Sequence, residues 1–141
     1  MDQSGRATIV AAIGLVSVLG LCRQPAMAEA SFDGRWQGTY KIIEDYGNFN
    51  CEGGEVFMDI EGTSVDIETR NNRSSWEFQG SIDASGALSA SGEISTDFSN
   101  PNLDKTITAE WSGNAVGDEM SGKLNILKYC DSSWQVRRVG P

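Results

Sequence analysis

A chain of 141 residues without a single histidine must do any acid/base work with carboxylates, lysines or tyrosines, because the side chain that titrates near neutrality is missing. Ser-His-Asp and Cys-His nucleophiles cannot be built from it, and the commonest metal ligand is gone. Asp45 and Glu52 bracket "YGNFNC" as a candidate carboxylate pair. An acid/base pair needs a shielded cleft to push its two pKa values apart, whereas this Gly/Asn-rich stretch predicts solvated loop acids. The run "NFNCEGGEVFMD" sets Asn48, Asn50 and Glu52 at alternating positions with Asp59 twelfth, imitating a calcium loop. Asparagine in first place, Asp instead of a bidentate Glu in twelfth, and a strand-like setting for Asp59 depart from that pattern, so no metal site is expected. "DFSNPNLD", from Asp97 to Asp104, reads as an Asn-Pro turn. The chemistry available points away from an enzyme and calls for no cofactor.

Cysteines and aromatics remain, and their meaning depends on compartment. "ATIVAAIGLVSVLGL", Ala7 to Leu21, is apolar but short for a membrane span, and "RQPAMA" after it carries Ala26 and Ala28 in an A-x-A pattern. This predicts a secretory signal peptide over 1–28, cut after Ala28, and a periplasmic or extracellular product. Cys22 leaves with the signal, and the large Leu21 before it argues against a lipidation site. The mature chain, 29–141, is long enough for one domain. It keeps Cys51 and Cys130, read as one disulfide in an oxidising compartment. Removal of Asp2, Arg6 and Arg23 moves the formal charge from −9 to about −10, with carboxylates scattered along the chain. A soluble acidic surface follows; nucleic acid is excluded as a partner for want of a basic face, and no membrane contact is expected after cleavage.

These residues must be positioned by strands. No long segment has helical spacing, while period-two alternation recurs between Gly, Asn, Asp and Ser clusters. Strands are expected at Arg35–Ile43, Glu55–Ile60, Ser64–Thr69, Ser75–Ile82, Ala87–Ser95, Thr106–Gly113, Glu119–Lys128 and Ser133–Val139. Short links between them imply an antiparallel meander, and one apolar face on each of eight strands implies closure: an all-β, eight-stranded antiparallel up-and-down β-barrel with one disulfide. In such a barrel Cys51, after strand one, and Cys130, before strand eight, fall at the same end of neighbouring strands.

Parity places Trp36, Tyr40, Trp76, Phe78, Trp111, Trp134 and Arg138 on the inner face. Tyr40, Trp76, Phe78, Trp111 and Trp134 are the candidate ligand-lining residues. Whether they fill the barrel or line a cavity stays open: short strands favour filling, and the inward glycines Gly38, Gly80, Gly92, Gly113 and Gly122 favour unfilled volume. Trp36 begins the first strand and Arg138 ends the last, so pairing brings them together at the end opposite the disulfide, where a guanidinium stacked on an indole would close the floor.

Gly34-Arg35-Trp36 with Arg138, and less well Arg137, resembles the calycin superfamily of lipocalin, fatty-acid-binding and avidin-like barrels. Members carry G-x-W on the first strand and an arginine over that tryptophan from the last. The resemblance spans the mature chain in topology but only these residues in motif. No T-D-Y-like segment is present and the polar first-strand residues of avidin-like barrels have no counterpart, so biotin is not implied. The resemblance implies a lipocalin-like carrier holding a small apolar or aromatic molecule. Small periplasmic inhibitors of bacterial metalloproteases are similar too, as one-disulfide barrels with an early G-x-W; there Glu29 to Asp33 would be the segment entering the enzyme, making the chain a module for a protein partner. A third expectation is an envelope scaffold without ligand, with outward Ile43, Phe57 and Leu127 as a contact between copies.

Overall fold

The computed structural model describes residues 31–47, 51–95 and 106–141. The predicted signal peptide, Cys22, Glu29, Asn48, Asn50 and the 97–104 loop lie outside them. Eight strands follow one another: β1 Gly34–Asp45, β2 Gly54–Glu61, β3 Ser64–Arg70, β4 Ser75–Ile82, β5 Ala87–Ser95, β6 Thr106–Val116, β7 Glu119–Ile126 and β8 Cys130–Gly140. Each pairs antiparallel with the next, and β8 returns to β1. The result is a closed all-β barrel.

Local chemistry sets the links. β2–β3 and β6–β7 turn through two residues, Gly62-Thr63 and Gly117-Asp118, each with φ +62° at the glycine, the conformation that primed hairpin turns demand. Between β4 and β5, Asp83 Oδ1 accepts bonds from Ser85 N, Ser85 Oγ and Ala87 N at 2.9, 2.6 and 3.0 Å, an Asx-type brace. The hydroxyl of Ser85, first among these donors, holds the Asp83 carboxyl below its ordinary range.

Alternation runs true around the barrel. Trp36, Val56, Met58, Ile67, Phe78, Ile94, Ile107, Trp111, Met120 and Leu124 are at most 2% exposed, while their strand neighbours, Phe57 apart, are polar or charged. The expected strand limits shift in places. β7 stops at Ile126 instead of Lys128, because Leu127 to Tyr129 form a turn closed by Tyr129 N donating to Ile126 O at 3.0 Å, with Lys128 at φ +73°. β8 correspondingly begins at Cys130. In the β1–β8 seam Ile42 faces Ser132 and Glu44 faces Asp131, so Ile43 is an extra residue in a bulge.

Candidate functional site

At the floor, Trp36 and Arg138 are direct cross-strand partners, and the guanidinium carbon sits 4.8 Å from the indole centroid. Its NH1 donates to Asp33 O at 3.2 Å and NH2 to Ser31 O at 3.0 Å. Trp36 Nε1 donates to Phe32 O at 2.9 Å. The carbonyls of Ser31, Phe32 and Asp33 are thus all captured by one stacked pair, and Asp33 Oδ1 accepts from Gly62 N at 2.7 Å. Phe32, 8% exposed, belongs to the core. Asp118, on the β6–β7 hairpin, lies 3.2 Å from Arg138 Nε. Arg137 points outward instead and pairs with Glu119 at 2.7 Å, both largely exposed.

In the interior, Phe78, Trp111 and Trp134 form a tilted stack with successive centroids 5.6 Å apart. Two of the inward glycines lie beneath these rings. A Cβ on Gly92 would stand 2.6 Å from Phe78 Cδ1, and one on Gly113 only 2.4 Å from Trp134 Cζ2. The space a side chain would take is occupied by an aromatic neighbour. At Gly38 the obstacle is backbone, the Gln135 carbonyl, so that glycine marks a close strand approach. Of the two alternatives left open by the sequence, the volume at these glycines is filled. Trp134 Nε1 donates to Lys123 O at 3.0 Å. Trp111 Nε1 and Ser132 Oγ are buried without a hydrogen-bond partner, which costs roughly 1–3 kcal/mol each and suits a trapped water.

The mouth lies at the disulfide end. Cys51 and Cys130 are bonded, with Cα atoms 6.1 Å apart. Beside them a depression of about 90 Å³ is lined by Cys51, Glu52, Asn71, Arg73, Ser74, Trp76 and Ile126. Tyr40 is buried beneath it; its hydroxyl accepts a bond from Asn71 Nδ2 at 3.2 Å. Burial raises the Tyr40 pKa, the Asn71 bond opposes this, and the charge of Glu52 adds to the rise. Asn71 organises the rim, its Oδ1 accepting from Arg73 N and Ser74 N at 2.9 Å each. Trp76 is half-buried at the edge, unlike the fully enclosed Phe78, Trp111 and Trp134. Asp45 accepts from Gly47 N, while Glu52 accepts from Asn72 Nδ2 at 3.3 Å and pairs with Arg73 at 3.6 Å. The two carboxylates engage different partners. Among the described residues no three of His, Cys, Asp and Glu converge as a metal site.

Sequence reasoning missed Asn71, Phe32 and the backbone carbonyls beneath Arg138. The Asn-Asn-Arg-Ser turn was a signal for the first, and an aromatic just ahead of "DGRW" for the second. It also read the carboxylates as scattered, which holds along the chain but not in space. Glu55, Asp59, Glu61, Asp66, Glu68 and Glu77 share the outer face of β2–β4, with Asp59 opposite Asp66 and Glu68 opposite Glu77. Phe57 lies on that face under Arg70, whose guanidinium carbon is 4.7 Å from the ring centroid.

No family model, curated protein or solved structure matches this chain.

Proposed function

We propose that this chain is an exported, non-enzymatic binding protein of calycin-like design that works through its outside, as a module for a protein partner. The observation carrying this reading is the occupied interior: Phe78 and Trp134 fill the hollows at Gly92 and Gly113, and Trp111 bridges them. An apolar carrier needs a cavity of a few hundred Å³, and the mouth holds about 90 Å³. Depressions of about 510, 400 and 350 Å³ lie on the outer surface, lined mainly by outward residues.

The partner-facing end is the mouth. Ile43, Tyr46 and Leu127 are 55%, 54% and 41% exposed, and the bond from Tyr46 N to Tyr129 O at 2.8 Å ties the end of β1 to the β7–β8 turn. With Trp76, which lines the depression, they put aromatic and aliphatic side chains at this end, and Trp and Tyr are among the types enriched at binding hot spots. The opposite end suits an inhibitor-like role less well, since the Ser31–Asp33 backbone is held on the floor by Arg138 and Trp36. The periplasmic or extracellular location draws support from the disulfide.

The test is affinity capture from the source's own periplasmic or culture fluid, comparing the native chain with an Ile43→Asp/Leu127→Asp variant. A protein partner retained by the first and lost by the second is expected. Native mass spectrometry showing a small apolar compound inside the purified barrel, with no protein captured, overturns the proposal in favour of the carrier.

A further inference from the structure

The register of β1, β8 and β7 brings three outward side chains into one row. Ser133 faces Lys41 on one side and Lys123 on the other, so two lysines flank a serine across strands about 5 Å apart. The next row is Thr39, Gln135 and Ser121, and the one beyond is Gln37, Arg137 and Glu119. Arg137 and Glu119 neutralise each other. Among the described residues, neither Lys41 nor Lys123 has a carboxylate within ion-pair distance.

A chain with 20 carboxylates and 11 cations has ample means to neutralise two lysines, yet neither is in an ion pair: in the adjoining row towards the mouth, the carboxylates of Glu44 and Asp131 both accept from the Tyr46 hydroxyl. They border a depression of about 400 Å³ whose lining side chains include Thr39, Lys41, Ser121, Lys123, Ser133 and Gln135, and no carboxylate. It adjoins a second depression of about 510 Å³ that shares Thr39, Ser121 and Gln135 and adds Gln37, Asn114 and the Glu119–Arg137 pair. The lining is thus a cationic row, then hydroxyls and amides, which both donate and accept hydrogen bonds, and at the far side the Glu119–Arg137 ion pair.

We propose that this face binds an oxyanion carried on a small polyhydroxylated molecule, such as a phosphorylated, sulfated or carboxylated sugar. Lys41 and Lys123 hold the oxyanion from two sides and Ser133 donates to it. Thr39, Gln135 and Ser121 then meet the hydroxyls in the neutral stretch. The charge of the whole chain sets an upper limit on the ligand: a long polyanion is repelled by the surrounding acid, whereas one oxyanion on a neutral body is not. This site is independent of the rim around Trp76 and of the partner suggested for it.

Backbone amide NMR titration of the intact disulfide-bonded protein at low ionic strength tests the assignment, with glucose 6-phosphate, inorganic phosphate and glucose as probes. Shifts centred on Lys41, Ser133 and Lys123 are expected with glucose 6-phosphate, weaker affinity with phosphate alone, and none with glucose. Lys41→Gln/Lys123→Gln should weaken glucose 6-phosphate binding at least tenfold with an unchanged melting temperature, since both side chains are exposed. Absence of shifts with glucose 6-phosphate, shifts centred elsewhere, phosphate binding as tightly as the sugar phosphate, or undiminished binding by the double variant each overturns the proposal.

Discussion

Arg138 gathers a stacking partner and two backbone carbonyls with one guanidinium, while Arg137, its chain neighbour, meets only an exposed glutamate. Truncation should separate the two. Arg138→Ala should lower stability by roughly 1–3 kcal/mol, because it leaves the Ser31 and Asp33 carbonyls and the Trp36 face without their partner. Arg137→Ala should stay within about 0.5 kcal/mol, as an exposed ion pair does. Thermal melts of both variants measure the contrast. Tyr46 offers a test by pH. Its hydroxyl donates to Asp131 Oδ2 at 2.6 Å, and that bond, ahead of all other causes, pushes its pKa up to about 12 from an ordinary 10. The folded state therefore holds this proton more tightly than the unfolded one. Its contribution is complete below pH 10 and is lost as pH rises from about 10 toward 12. Ultraviolet titration should show late tyrosinate formation that Asp131→Asn moves to lower pH.

Strands were the most legible elements because a half-buried strand writes its burial into alternate positions. β3, β4 and β5 needed only "SVDIET", "SWEFQGSI" and "ALSASGEIS" to be placed. The end of β7 was not legible: "ILKY" continues a strand-like pattern, and only the positive φ at Lys128 breaks it. The Ile43 bulge was hidden likewise, since a register jump depends on the partner strand. Parity also located Trp36, Arg138 and the inner aromatics. It could not say whether a glycine beside them marks a void or a ring seat, because that depends on the rotamer of a residue on another strand. Gly113→Ala should accordingly destabilise by about 1–3 kcal/mol, the cost of overpacking against Trp134, with near-ultraviolet circular dichroism reporting the displaced indole. Closure of the β1–β8 seam leans on the disulfide, which joins residues 79 apart. Replacing Cys51 and Cys130 with serine should cost about 4 kcal/mol by the chain-entropy argument, read as a shift in the denaturant midpoint.

For the molecule as a whole, charge is distributed by side. The outer face of β2–β4 gathers six carboxylates around Arg70, whereas Arg35, Lys41, Lys123 and Arg137 lie on the outer faces of β1, β7 and β8. Like charges directly opposite each other at Asp59 and Asp66 repel across the strand pair. Asp66→Asn should raise the melting temperature by about 1–3 °C, and added salt should shrink the difference by screening the same repulsion. A lower melting temperature in the variant would mean that Asp66 supports the face instead of straining it.

The meander also has a kinetic side. Seven of its eight pairings join strands adjacent in the chain, and the remaining pairing joins the first strand to the last. The seven form through local loop closures, while the seam must wait for the two ends of the barrel to meet. Trp36 has its cross-strand partner Arg138 in that seam, so its fluorescence reports the last event of folding. With the disulfide intact the ends are tethered and that phase should be fast. Once the bond is reduced, Trp36 should reach its native emission more slowly than the strands form, and the lag between the two signals measures the time the open sheet spends searching for its own edge.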